Sequence, residues 1–349
     1  MRNDHLLNRL PIGLFIFVLG AFPLLSNAQD SSNSQGKPML LVANQKDRDL
    51  SILNPKSGQQ LALVPENAVT GHEVAASPDG RTAFVPIYGN SGVGKPGTDG
   101  HEMLVIDIAS GKVTNQVDFG HGVRPHCPVF DVKRGVLYVT TELDKSVSII
   151  DPHSLKIVGS IPTDQTESHM LAISHDGRRG YTANVGPGTV SVLDLDARKT
   201  VTVIPISGMT QRISITPDDS TVFTADQTKP QLAMIDTSTN KVKGWIKLPG
   251  LGYGTGATHD GRYLLVCVPG LNEVAVVDLR THKVVHDLSV PKAPQEVLMQ
   301  PDGKTAYVSC NSSGKVAVID LTDWKVQKIL DAGKGADGLA WANPSGNPQ

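Results

Sequence analysis

A unit of about 42 residues repeats along nearly the whole chain, and this period limits the possible folds more than any other feature. Its turn signature reads Ser77-Pro78-Asp79-Gly80, Ser174-His175-Asp176-Gly177, Thr216-Pro217-Asp218-Asp219, Thr258-His259-Asp260-Gly261 and Gln300-Pro301-Asp302-Gly303, and the last four acids fall 42 residues apart. A second signature, an apolar pair or triplet ending in an acid, falls at Asp107, Asp151, Asp194, Asp236, Asp278 and Asp320, with Asn54 in its place at the start. That makes seven units. A period in the low forties with several short strands per unit predicts a β-propeller.

Each unit offers four segments of strand length and β-branched content. In the fourth they are Met170 to Ser174, Gly180 to Val185, Val190 to Leu193 and Lys199 to Ile206. The two ends are out of phase. Residues 39–64 supply three strands and lack the innermost one, while Gly338 to Ala342 supplies an innermost strand with nothing after it. Joining them completes a seventh four-stranded blade and removes both open sheet edges. The expected fold is therefore all-β: a seven-bladed propeller closed by the C-terminal strand.

The second strands Tyr138-Val139-Thr140-Thr141, Tyr181-Thr182-Ala183-Asn184 and Tyr307-Val308-Ser309-Cys310-Asn311 carry a family resemblance, as do the third strands Val147 to Asp151 and Val190 to Asp194. In these residues the chain resembles the YVTN family of β-propeller repeats over about residues 39–346. The resemblance implies the fold. It implies no single activity, because that family includes surface proteins, scaffolds and enzymes.

Residues 1–28 read as a secretory signal. Arg2 and Arg9 form a basic start, Ile12 to Leu25 is an apolar run, and Ser26-Asn27-Ala28 is a small-residue cleavage site. The run is shorter than the roughly 20 residues that span a bilayer. Residues 29–38 read as a flexible leader, 39–346 as the propeller and 347–349 as a tail, so a periplasmic or extracellular protein is expected. Without the signal the chain has a net charge near −3 and no run of Lys or Arg, so nucleic acid is not an expected partner. A monomer without a membrane span is the expected form. Of the three cysteines, Cys267 and Cys310 fall on neighbouring blades, where they either pair or fill the interface as small apolar groups. Cys127 follows His126, so strand alternation turns it away from the channel.

The candidate site comes from comparing one position in every unit, at the start of the innermost strand. It carries His72, His126 and His169 in consecutive units, then Gln211, Tyr253 and Gln295, with Gly338 beside Asp337 in the closing blade. Neutral imidazoles converging on a channel mouth suit a divalent transition metal such as Zn or Cu. They equally suit hydrogen bonding to a ligand or to neighbouring backbone. The second unit also holds an insertion, Gly89 to His101, opening on the same face and expected to bring Lys95, Asp99, His101 and Glu102 toward the mouth. Gly89 to Lys95 has the spacing of a phosphate loop, but Pro96 replaces the hydroxyl residue and no helix follows.

Two function classes follow. The first is an exported recognition module that binds a small ligand or partner loop at the mouth, with the histidine arc supplying polar contacts or a metal. Arg124, Gln211, Arg212, Gln295, Asp99, His101 and Glu102 would contact the ligand. The alternative is a metal-assisted hydrolase or lyase, since lactonase-like propellers and virginiamycin B lyase are similar in architecture. There Glu142 would act as general base, with Tyr253 as second catalytic candidate. A redox or cofactor component is a third idea, without a Cys-x-x-Cys-His attachment motif to hold covalent heme.

Overall fold

The computed structural model describes residues 36–344. These form seven four-stranded antiparallel sheets. Blade 1 is built from Met39–Asn44, Asp49–Leu53 and Gln60–Pro65, with Ala336–Ala342 as its innermost strand. The closure is in register, Leu40 opposite Trp341 and Leu41 opposite Ala340. The expected seven-bladed propeller and its closing strand are thus observed. The proposed signal (1–28), most of the leader and the tail lie outside the described residues. Among the described residues no helix is long and apolar enough to cross a membrane.

Both repeated signatures are turns closed by side chains. The hydroxyls of Ser174, Thr216 and Thr258 each donate to the acid two residues on, at 2.6 Å. In the second signature the acid accepts backbone amides just ahead of it, as Asp278 does from Arg280 at 2.8 Å. Asn54 does the same for Lys56 and Ser57, at 2.9 and 3.0 Å, which is why an amide can stand in for the acid.

Second and third strands are mostly buried, whereas fourth strands are mostly exposed, as in Lys112–Asp118. The apolar core therefore lies between blades. One cluster joins Tyr138, Val147, Tyr181, Val192 and Ile213 across three of them. All three cysteines are free and buried; Cys267 and Cys310 share another inter-blade cluster as thiols. Cys127 faces core, its Sγ 3.7 Å from the Leu171 carbonyl.

Blade 2 departs from the others. Its second and third strands lengthen to Thr82–Gly89 and Asp99–Asp107, with a register shift between Ile87 and Gly89. Gly100 permits that close approach, since a Cβ there would lie 1.6 Å from the Ile87 carbonyl oxygen. The insertion is thus partly strand, and only residues 90–98 form the loop.

Candidate functional site

The innermost strands of blades 3, 4, 5 and 7 each carry a register shift at their start, at Pro125–Pro128, Ser168–Met170, Gln211–Ile213 and Pro294–Val297. A bulge re-aims side chains at the rim of a sheet. Arg124, Glu167 and Arg212 enter these shifts with φ of +51°, +55° and +55°. His126, His169, Gln211 and Gln295 of these bulged strands, together with His72 and Tyr253 of the two blades without such a shift, line one cavity of about 510 Å³ at the channel mouth. A second cavity of about 550 Å³ lies among turns of the opposite face, lined by Asp218, His259 and His282. None of the buried unpaired polar atoms lies on it.

The three imidazoles gather around the ring of Tyr88, the penultimate residue of blade 2's second strand. Ring centroids lie 4.8 Å from His72, 5.3 Å from His126 and 5.4 Å from His169. His126 and His169 stack on each other at 3.6 Å, and His72 meets His126 edge-on at 5.5 Å. All three are buried, and burial holds each below the ordinary histidine range, His72 at about 3. They are therefore neutral at physiological pH. Gln45 donates its amide to His72 Nε2 at 2.9 Å, whereas Nδ1 of His126 and of His169 is buried without a hydrogen-bond partner.

Glu142 stands behind this wall. It accepts the Tyr88 hydroxyl at 2.5 Å and the Gly94 amide at 3.3 Å, with Arg124 Nη1 at 3.5 Å and His169 Nδ1 at 3.6 Å. Burial works to raise its pKa, but contacts with His169, Tyr88 and Gly94 outweigh it, and the carboxylate lies below the usual range. Burial, reinforced by Glu142, pushes the Tyr88 phenol up, so it remains a donor. Arg124 binds Asp99 at 2.6 Å and the Lys95 carbonyl at 2.7 Å, which clamps the insertion over the cavity.

The floor is charged. Arg212 is buried between Glu73 and Asp337, 2.7 Å from the latter, with its guanidinium 5.3 Å from the Tyr253 ring. Burial works against that cation, and the two carboxylates more than offset it. Glu296 accepts the Leu339 amide at 2.8 Å. Three carboxyls thus share one guanidinium. Burial raises all of them, Glu296 to about 7.

A family model described as the cytochrome D1 heme domain matches residues 97–335, more than half of the chain. The chain belongs to that family. No curated protein matches it. Among solved structures, hydrazine synthase of Kuenenia stuttgartiensis is similar with a TM-score of 0.67 and 20% identity, covering 79% of this chain and 90% of that one. Dihydro-heme d1 dehydrogenase NirN, solved in complex with DHE, gives 0.64 and 17%, covering 89% and 76%. A functionally unknown protein of Desulfotomaculum acetoxidans DSM 771 gives 0.73 and 14%, covering 88% and 99%. At these identities the likeness is one of fold.

In this member of the cytochrome D1 heme domain family the expected site residues divide into two groups. Beside the six compared residues, Arg212, Asp337 and Lys95 line the cavity. Glu142, Arg124 and Asp99 do not; they form the layer behind it. Glu142 is therefore not positioned as a general base toward the cavity, whereas Tyr253 does face it. His101 and Glu102 also lie off the cavity, because the strand already begins at Asp99 and sets them beside Asp118 of the outermost strand; His101 Nδ1 is 3.3 Å from that acid. The three histidines adjoin without converging: among the described residues no group of three His, Cys, Asp or Glu side chains is placed to hold a metal ion. Sequence reasoning missed Tyr88, Gln45, Glu73 and Glu296. Glu73 and Glu296 each follow a compared residue, as Arg212 does, and that offset was the available signal.

Proposed function

We propose that this protein is a heme-binding propeller that holds a tetrapyrrole of the heme d1 class at the channel mouth. The observation that carries this reading is the pair of buried, uncharged imidazoles, His126 and His169, on the wall of a cavity of about 510 Å³. That volume lies within the roughly 300–1,000 Å³ of small-molecule sites. Neutral imidazole nitrogen is an axial ligand for heme iron. Family membership supports the same ligand class, as does the likeness in fold to NirN, a dihydro-heme d1 dehydrogenase.

In this reading His169 would hold the iron, and His126 would supply a second imidazole on the same wall. The carboxamides of Gln211, Gln295, Gln45 and Asn311 would meet the polar edge of the ring, and Lys95 a carboxylate. Bound there, the group would supply a redox-active iron; the protein binds it, orients it and screens it from water. The YVTN-type repeat character of the blades is part of the proposal. Export through residues 1–28 to the periplasm or beyond, the leader 29–38, the tail 347–349 and a monomeric state complete the proposal. A three-histidine Zn or Cu centre gains no comparable support, since Gln45 already occupies His72 Nε2. Nor does metal-assisted hydrolysis or elimination, since Glu142 stands behind the wall.

Titrating hemin into the full-length protein tests the reading. One heme per chain is expected, with an absorption spectrum that changes in His169→Ala. Binding that never saturates at one per chain, or that is indifferent to both histidines, would refute it.

A further inference from the structure

We infer that Glu142 is a positioning residue that fixes the tautomer of His169 and tunes the iron this imidazole would hold. The inference rests on the tetrapyrrole reading and deepens it. Glu142 is 2% exposed and stands between Tyr88 and His169. Its Oε2 takes the Tyr88 hydroxyl at 2.5 Å and faces His169 Nδ1 at 3.6 Å, within reach of a small ring rotation. Its Oε1 is held by the Gly94 amide and Arg124. The carboxylate therefore cannot turn away.

An ionised carboxylate only accepts hydrogen bonds. Set against Nδ1, it selects the tautomer with the proton on Nδ1 and leaves the Nε2 lone pair for the cavity. The same pairing makes an imidazole more electron-rich toward a metal. His126 has no such neighbour, its Nδ1 being buried without a partner. Of the two stacked rings, only His169 faces a carboxylate. Tyr88 adjusts the pairing, since its hydroxyl draws charge from the carboxylate that faces His169.

Two variants should act with opposite sign. Glu142→Gln is nearly isosteric and removes the charge, so the bound iron should favour the ferrous state about tenfold more, equivalent to ~59 mV. Tyr88→Phe removes a donor and frees the carboxylate, so the equilibrium should move a few-fold toward ferric. The measurement is redox titration of the full-length protein loaded with hemin, beside thermal melts to confirm folding. Shifts of opposite sign in folded, fully loaded variants would support the inference. Shifts of one sign are what general loosening of the wall would give, and they would overturn it, as would an unchanged Glu142→Gln. If wild type takes up no heme, the tetrapyrrole reading and this inference fail together. If it does, and His169→Ala leaves the spectrum unchanged, only the assignment to His169 and Glu142 fails.

Discussion

The imidazoles of His126 and His169 lie face to face, ring centroids 3.6 Å apart and planes inclined by 29°. Two cations could not occupy that geometry, and burial keeps both rings neutral. Their role should therefore be that of a nitrogen ligand or acceptor, not of an anion-binding pair. We expect His169→Ala to weaken hemin binding more than tenfold and His126→Ala by less. His72→Ala should have the smallest effect, because Gln45 already engages that ring. Dissociation constants for the three variants check the order, and His72→Ala proving the most damaging would reverse the assignment.

The Arg212 floor makes a stability prediction. Removing one partner of a buried ion pair leaves its charge uncompensated and costs about 3–5 kcal/mol. Arg212→Met should therefore lower the melting temperature markedly at pH 7, where Glu73 and Asp337 lose their guanidinium. The loss should shrink toward pH 5, as those acids take up protons. Melting curves at the two pH values decide it, and an equal loss at both would show that Arg212 serves packing alone.

Glu66 supplies a separate pH dependence. Its Oε2 accepts the Gly71 amide at 2.8 Å, its Oε1 is buried with no partner, and burial raises its pKa to about 7. A carboxyl that binds its proton more tightly folded than unfolded stabilises the fold at low pH. That contribution is lost as pH rises through the folded value. Between pH 4.5 and 7 the loss should be on the order of 3 kcal/mol. Denaturant unfolding across this window should show the decline, and Glu66→Gln should flatten it. A variant as pH-sensitive as wild type would assign the effect elsewhere.

The fold was legible because its signals are local. Asp278 and Asn54 cap their own turns, and the phase mismatch between Met39 and Trp341 can be counted along the chain. The six cavity residues were legible for a related reason: a repeat places equivalent positions on one ring. Glu142 and His101 were misplaced because facing depends on where a strand begins and bulges, which periodicity does not report. Tyr88, Glu73 and Glu296 went unseen because they matter only through neighbours from other repeats. Tyr88 meets Glu142 across two adjacent blades, and Glu73 meets Arg212 of blade 5 across the channel.

Cys267 and Cys310 are neighbours in one buried cluster and both are free thiols. Burial raises both, Cys310 to about 12, which suppresses the thiolate needed for oxidation. We expect three titratable thiols per chain after denaturation without reductant, even in protein recovered from an oxidising compartment. A count of one would show that the pair had closed into a disulfide.

Lys95 tests which ligand chemistry the mouth selects. Arg124 is taken up by Asp99 and Glu142, and Arg212 by Glu73 and Asp337. Lys95 lines the cavity with no carboxylate within 4 Å of its ammonium among the described residues, its backbone fixed by Arg124. A ligand carboxylate would therefore find its free cation there. Such an exposed contact is modest and screened by salt. Lys95→Ala should weaken hemin binding about three- to tenfold at low ionic strength, with the gap closing at 1 M salt, while Lys95→Arg should retain most of the affinity. Equal losses at all ionic strengths would mean that Lys95 shapes the loop and does not meet the ligand's charge.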